Sequence, residues 1–428
     1  MRGIKLNKGQ QAVFDRVVKD RAKITYLAAE PGFGKTYVTA EIIKHSMNVE
    51  VTATTHKAKS VLSKLLRRPT TTIHKYMRYT IANVNYKQQL VKVKGEIEPC
   101  SLLVCDEIGM IPNRILKDIL YEVEKGELFE QVLFVGDPLQ LPAVADKPNL
   151  KLLEPYRVGL TEQMRQSGCS TLSNYLSSLR AAIEAKKVPS SLLTAAPAIT
   201  IYDNHKEFCR DYLKCTTNKR ILAYRNNVVD KYNKYINDPD NTFNIGDIVV
   251  IDKPIKSIGA HNKDILTIVD IREEEDYYNV RLVTDNGNQA TVRHYKKVSE
   301  LNRQLEELKT LNKENEYWIL FNQSFRLKHI FASTVHAAQG ETLDTVYIDA
   351  YDIIAAHQQT KTRYNKPISA EMMLRLLYVA ISRMKTRCII YTGVEPRDYS
   401  ELQKDPSRKI RTIKKKVKEE KVRFTLDG

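Results

Sequence analysis

Four short apolar runs, each ending in a polar or glycine-containing loop, limit this chain more than any other feature. They are KITYLAA (23–29), VEVTATT (49–55), SLLVCDE (101–107) and QVLFVGD (131–137). Runs this uniformly apolar read as strands buried on both faces, and such strands are usually parallel. Helical patterns lie between them, such as TYVTAEIIKHSM after the glycine loop and KAKSVLSKLL (57–66). The alternation predicts an open α/β sheet with its ligands beyond the carboxyl ends of the strands. A second series, RILAYRN (220–226), TVYIDA (345–350) and RCIIYTG (387–393), predicts a second domain of the same class.

Two stretches break the pattern. YMRYTIANVNYKQQLVKVKGEIEPC (76–100) alternates as a strand pair does. Residues 243 to 328 change texture altogether: several short strands, then the charged helix-like LNRQLEELKTLNKENEYW, which together suggest a small β-barrel-like insertion with a helical arm. Asp285-Asn286-Gly287 within it is a strong hairpin-turn signal.

With 428 residues, 42% hydrophobic and 28% charged, the chain is expected to form two or more domains. No apolar run reaches membrane-spanning length, and MRGIKLNKGQQAVFD lacks the apolar core of a signal peptide. A cytoplasmic setting is expected, the host cytoplasm if the gene is a phage's. The six cysteines include no C-x-x-C pair and are expected as buried or incidental thiols. The net charge of +17 favours polyanionic partners, nucleic acid first. Less than half of that excess sits in the tail RKIRTIKKKVKEEKVR (408–423), where nine basic residues face two acidic ones.

The chemistry begins at YLAAEPGFGKTYV (26–38), between a strand and a helix, where a phosphate-binding loop belongs. Backbone N–H groups from Gly32 to Thr36 would face phosphates, Lys35 would reach the β- and γ-phosphates, and Thr36 would ligate Mg²⁺. Ala29 stands where the usual pattern has its first glycine. A methyl group fits there if φ stays negative, so the departure removes no phosphate ligand. Asp106 and Glu107 close a strand expected beside the loop; Asp106 would hold Mg²⁺ through water and Glu107 would polarise the attacking water. Gln140, after the strand ending at Asp137, would read the γ-phosphate.

AAEPGFGKT, VCDE and GDPLQLP together resemble the signature segments of superfamily 1 helicases, and the likeness continues along the chain. TATTHKAKSVL resembles motif Ia, TTTIHKY motif Ib, LTEQMRQ motif IV, STVHAAQGETLDTVYID motif V and LYVAISRMK motif VI. Their order and spacing are similar to the RecD-like branch, over roughly residues 7 to 393.

The resemblance implies two RecA-like parallel-sheet motor domains with a β-hairpin insertion and an SH3-like β-barrel insertion. Domain 1A would occupy 1–75 and 101–163, the hairpin 1B 76–100, domain 2A 164–242 and 329–395, the barrel 2B 243–328, and a basic tail 396–428. It implies ATP with Mg²⁺, contacted by Gln10, Glu30, Pro31, Gly32, Phe33, Gly34, Lys35, Thr36, Tyr37 and Gly340. Arg165 and Arg383 would be the arginines that meet the γ-phosphate. Thr55, His56, Thr72, His74, Asn226, Thr334 and His336 would line a nucleic-acid track, since hydroxyls and imidazoles suit phosphate oxygens. Tyr86 would either stack on a base or pack its own hairpin.

The implied activity is an ATP-dependent DNA helicase moving 5′-to-3′ on single-stranded DNA and opening forked duplex, in replication, recombination or repair. It would act as a monomer, with a single-strand-binding protein as a candidate partner. An RNA helicase, and a translocase that displaces proteins with little unwinding, share these motifs and remain open at this level.

Overall fold

The computed structural model describes residues 6–54, 63, 70–143, 146–160, 162, 170–189, 192–237, 243–360, 366–393 and 397–404. The chain divides into two units, 1–192 with 370–382 and 193–369 with 383–428.

The described strands of the first unit are β1 (Ile24–Ala28), β2 (Val49–Ala53), β3 (Thr71–Thr72), β4 (Tyr79–Val84), β5 (Lys87–Lys92), β6 (Cys100–Cys105), β7 (Phe129–Gly136) and β8 (Arg157–Gly159). Six form a sheet in the order β3-β2-β6-β7-β1-β8, every pair parallel. All five β1 side chains are buried, as a strand covered on both faces requires. Helices flank it because their apolar residues fall on one stripe. In Asn113–Lys125 the buried residues are Ile115, Leu116, Ile119 and Val123, and Gly126 ends the helix at φ 72°.

All four apolar runs of residues 23–137 form strands. One detail differs: β7, not β6, pairs directly with β1, so Asp106 leaves a strand one place further from the loop than expected. The chain places β7 and β8 on opposite sides of β1, which makes β1 the switch point where such sheets open a crevice. The edge strands β3 and β8 are too short and polar to stand out in the sequence.

β4 and β5 pair as an antiparallel hairpin from Tyr79↔Lys92 to Val84↔Lys87. Asn85 and Tyr86 turn it with φ of 50° and 58°, both left-handed, the requirement of a two-residue turn that keeps the strand twist. Helices Ser170–Ala185 and Ala370–Ile381, which the expected boundaries would give to the second domain, pack against each other in the first unit.

The second unit contains β9 (Ile199–Tyr202), β10 (Lys219–Ala223), β11 (Ile248–Val250), β12 (Ile265–Glu273), β13 (Tyr277–Val283), β14 (Gln289–Tyr295), β15 (Lys328–His329), β16 (Ala332–Thr334), β17 (Leu343–Asp349) and β18 (Met384–Tyr391). β16-β10-β17-β18-β9 make a second parallel sheet. Both parallel sheets match the expected RecA-like pair. β14-β13-β12-β11-β15 make an antiparallel sheet around Val249, Ile268, Val280 and Leu282. Gly287, at φ 83°, donates its N–H to the Thr284 carbonyl at 2.9 Å in the turn between β13 and β14, as the Asp-Asn-Gly signal predicts.

The chain after helix Glu314–Gln323 touches both edges of that antiparallel sheet. Phe325 N–H donates to the Arg293 carbonyl on β14 at 2.7 Å, and His329 pairs with Val249 on β11. The closure is barrel-like, and it uses residues beyond the expected boundary at 328. The expected tail also begins later than 396: Arg397, Glu401 and Leu402 are buried in the second unit. All five described cysteines are free, four of them buried. Among the described residues no helix is long and apolar enough to cross a membrane.

Candidate functional site

The carboxyl ends of β1, β7 and β6 lie level, with Ala28 opposite Gly136 and Phe134 opposite Cys105. The loop after β1 meets them there. Ala29 prolongs the strand, donating its N–H to the Gly136 carbonyl at 3.1 Å, and its methyl is buried in the apolar core. Its φ is not positive, so alanine is suited to the place. Gly32 and Gly34 do need glycine's freedom, at φ 89° and 79°. Gly34 caps helix Lys35–Lys44, whose first intrahelical bond runs from Val38 N–H to the Gly34 carbonyl. The N–H groups of the preceding turn therefore face the loop, at the positive end of the helix dipole.

Lys35 folds back and donates Nζ to the carbonyls of Ala29 and Glu30, at 2.7 Å each. Burial pulls its ammonium pKa down, while Asp137, Glu107 and Asp106 oppose that shift. Thr36 is exposed on the first helical turn; Pro31, Phe33 and Tyr37 are half-buried, and Phe33 packs against the core.

Asp106 donates its N–H to the Thr52 carbonyl at 3.0 Å. Burial, with the Glu107 carboxylate beside it, pushes the Asp106 carboxyl up to about 7. Glu107 sits at φ 54°, a left-handed conformation that a residue with a Cβ adopts only when its surroundings enforce it. The next residue, Ile108, lies close against Gly136, where an added Cβ would be 2.7 Å from Ile108 Cγ2. Gln140 is buried, and its carbonyl accepts from Arg375 Nη1 at 2.7 Å.

Gln10 is fully buried in helix Lys8–Phe14. Its Oε1 accepts the Asn7 N–H at 3.1 Å, but its Nε2 has no partner. An orphaned buried amide is costly unless something else accepts from it. A polar ligand edge is such an acceptor. A divalent cation would likewise favour the charged form of Asp106, which burial disfavours. The residues present thus fit a nucleotide with its cation: Thr36 and Asp106 to hold the metal, which would neutralise phosphate charge.

The other expected residues divide between the units. In the first, Thr72 caps helix Ile73–Tyr76 by accepting the Lys75 N–H at 3.2 Å, and His74 is half-buried, its pKa lowered by burial. In the second, Asn226 Oδ1 accepts from Lys328 Nζ at 3.3 Å, and Thr334 Oγ1 accepts the Ala337 N–H at 3.3 Å. The His336 ring lies 6.3 Å from that of Tyr224, with burial and Lys263 lowering its pKa. Arg383 is buried and donates to the Glu341 carbonyl at 3.3 Å, and Gly340 sits at φ 80° with open space where a Cβ would be. Thr55, His56 and Arg165 lie outside the described residues.

Sequence reasoning missed three side chains at the first site: Arg180, Arg375 and Tyr378. Tyr378 lies inside the quoted LYVAISRMK, but nothing in Arg180's own helix distinguishes it from a solvated arginine.

Known proteins resemble the chain in sequence and fold. An AAA domain family model matches residues 5–192. The ATP-dependent DNA helicase dda of Enterobacteria phage T4 is 23% identical over 451 residues, spanning 88% of this chain and 97% of that protein. The ATP-dependent DNA helicase Pif1 of Campylobacter jejuni is 23% identical over 401 residues, spanning 79% and 85%. A solved structure of Pif1 helicases, described as unwinding forked duplex DNA by two coordinating copies, overlays with a TM-score of 0.52 at 18% identity, covering 95% of this chain and 98% of that one. That structural likeness concerns the fold. The motif order, the family model and the two sequence relatives make the chain similar to the ATP-dependent DNA helicases of the Dda and Pif1 type.

Proposed function

We propose that this protein hydrolyses ATP to move 5′-to-3′ along single-stranded DNA and to separate the strands of a forked duplex. The observation that carries the reading is the convergence of Lys35, Asp106, Glu107 and Asp137 at the carboxyl ends of β1, β6 and β7, with the unpartnered Gln10 amide beside it in support. Gln10 would accept adenine as its missing partner. Lys35 would exchange the Ala29 and Glu30 carbonyls for phosphate oxygens. Glu107, held in a fixed strained geometry, would orient the attacking water, and Gln140 would report the γ-phosphate to the rest of the unit. Arg165 and Arg383 would supply positive charge to the transferring phosphoryl group, a contribution worth roughly 10³ to 10⁵ in rate where it occurs.

Thr55, His56, Thr72, His74, Asn226, Thr334 and His336 would grip the strand through its backbone, and Tyr86, at the tip of the β4–β5 hairpin, would meet the fork. Direction of travel rests on the likeness to the helicase relatives.

The test is ATP hydrolysis with and without DNA or RNA oligonucleotides, beside strand release from a fork with a 5′ overhang. DNA stimulation and strand release are expected, with Lys35→Ala lowering the hydrolysis rate by at least about 10²-fold. Stimulation by RNA alone would replace DNA as the substrate. Hydrolysis without strand release would reduce the protein to a translocase.

A further inference from the structure

Asp137 directly follows β7, is buried, and has its carboxylate fully committed. Arg180 Nη1 donates to both oxygens at 2.9 and 3.0 Å, the Tyr378 hydroxyl donates at 2.7 Å, and Leu139 N–H donates at 3.0 Å. The same guanidinium reaches the phosphate loop, with Arg180 Nε 3.0 Å from Glu30 Oε1, and its Nη1 donates to the Tyr378 hydroxyl at 2.8 Å. Arg180 is thereby the junction of the loop after β1, the end of β7 and helix Ala370–Ile381. Arg375, one turn before Tyr378 on that helix, donates Nη1 to the carbonyls of Pro138 and Gln140 at 2.7 Å each. The whole Asp137–Gln140 turn is held from one helix face.

A cation could neutralise Asp137 without touching the loop, and a neutral side chain could fill the space without charge. What Arg180 does beyond neutralisation is geometric: a planar fork joins two carboxylates and a phenol at once, which a lysine cannot do. Glu30 is also the residue whose carbonyl Lys35 holds. When Lys35 turns to a phosphate, the loop residue it releases is the one tethered to Arg180. The next residues after helix Ala370–Ile381 are Ser382 and Arg383.

We propose that Arg180, with Tyr378, is a positioning residue that transmits the state of the phosphate loop to the Asp137–Gln140 turn and to helix Ala370–Ile381, and so couples ATP hydrolysis to the bound strand. The inference rests on the motor reading above. Its signature is a change in the ratio of stimulated to basal hydrolysis, not a loss of hydrolysis as such.

Two variants test it in the full-length chain. Arg180→Lys keeps the charge and loses the fork; Tyr378→Phe removes one hydroxyl and keeps the ring. Hydrolysis is measured with and without a single-stranded DNA oligonucleotide, alongside melting temperature and the KM for Mg·ATP. Both variants are expected to lose about fivefold or more of the stimulation, the low end of typical coupling. In both variants the stimulated rate should fall by a larger factor than the basal rate, so that the ratio of the two drops. Variants that melt earlier yet keep full stimulation would overturn the inference alone, leaving Arg180 a structural tie. A wild type that hydrolyses ATP without regard to DNA would overturn the motor reading and this inference together.

Discussion

The ends of β17 and β6, one in each parallel sheet, carry acidic groups and treat them oppositely. At the end of β17, Asp349 is buried against Arg397, whose Nε and Nη2 donate at 2.7 and 3.1 Å, and it also accepts from the Tyr232 hydroxyl at 2.9 Å. Three residues on, Asp352 accepts the N–H groups of Tyr224 and Arg225, at 2.8 Å each, and pairs with the Arg225 side chain at 2.5 Å. At the end of β6, Asp106 and Glu107 face each other instead, and burial lifts the Asp106 carboxyl. The backbone repeats the contrast, since Asp349 sits at φ −81° and Glu107 at φ 54°. The second sheet spends its carboxylates on holding its own fold together. In the first sheet Asp137, after β7, is likewise held by Arg180 and Tyr378, but the end of β6 leaves charge and strain in place, as expected where a ligand completes the structure.

The largest way to break this contrast lies in the second sheet. Arg397→Met strands Asp349 as a buried, uncompensated charge and should cost about 3–5 kcal/mol of stability, read as a fall in denaturation midpoint. Asp106→Asn should do the reverse in the first sheet, abolishing hydrolysis while the protein melts no earlier than wild type. If Asp106→Asn destabilises as severely as Arg397→Met, the two strand ends are alike and the distinction fails.

A smaller effect sharpens the account of Glu107. Gly136→Ala drives a methyl into Ile108, 2.7 Å from Cγ2 and 3.1 Å from the backbone nitrogen, and should cost about 1–3 kcal/mol. Because Ile108 follows Glu107, hydrolysis should fall more than stability does. Smallest is Glu107→Gly, which relieves the positive φ and should stabilise by about 1 kcal/mol while hydrolysis is lost. A destabilised Glu107→Gly would mean that the left-handed turn is not strained.

How far the sequence announced this depends on distance along the chain. β1, β6 and β7 were legible because each compresses its burial and its chemistry into about ten residues: apolar run, then Lys35, Asp106 with Glu107, or Asp137. Two short edge strands carried no such pattern: Thr71–Thr72 has two residues and Ala332–Thr334 three. The order of strands was illegible too, which is why β6 was expected beside the loop that β7 in fact adjoins. Arg180 was beyond reach for the same reason. Its partners are 43 and 198 residues away, so no local spacing marks it. Gln10 was found only through family likeness; its unpartnered Nε2 is a fact of packing that the stretch KGQQAVF does not show.

The most direct test of the central claim is the thermal shift produced by Mg·ATP in wild type, Asp106→Asn and, as the second-sheet counterpart, Asp352→Asn. A ligand that binds only the folded state raises stability by RT ln(1 + [L]/Kd), about 2.7 kcal/mol at a hundredfold excess over Kd. The account predicts a magnesium-dependent upward shift in wild type and in Asp352→Asn, and loss of the magnesium dependence in Asp106→Asn. An equal magnesium-dependent shift in Asp106→Asn, or its loss in Asp352→Asn alone, would contradict the assignment of the first sheet as the one left open for the nucleotide.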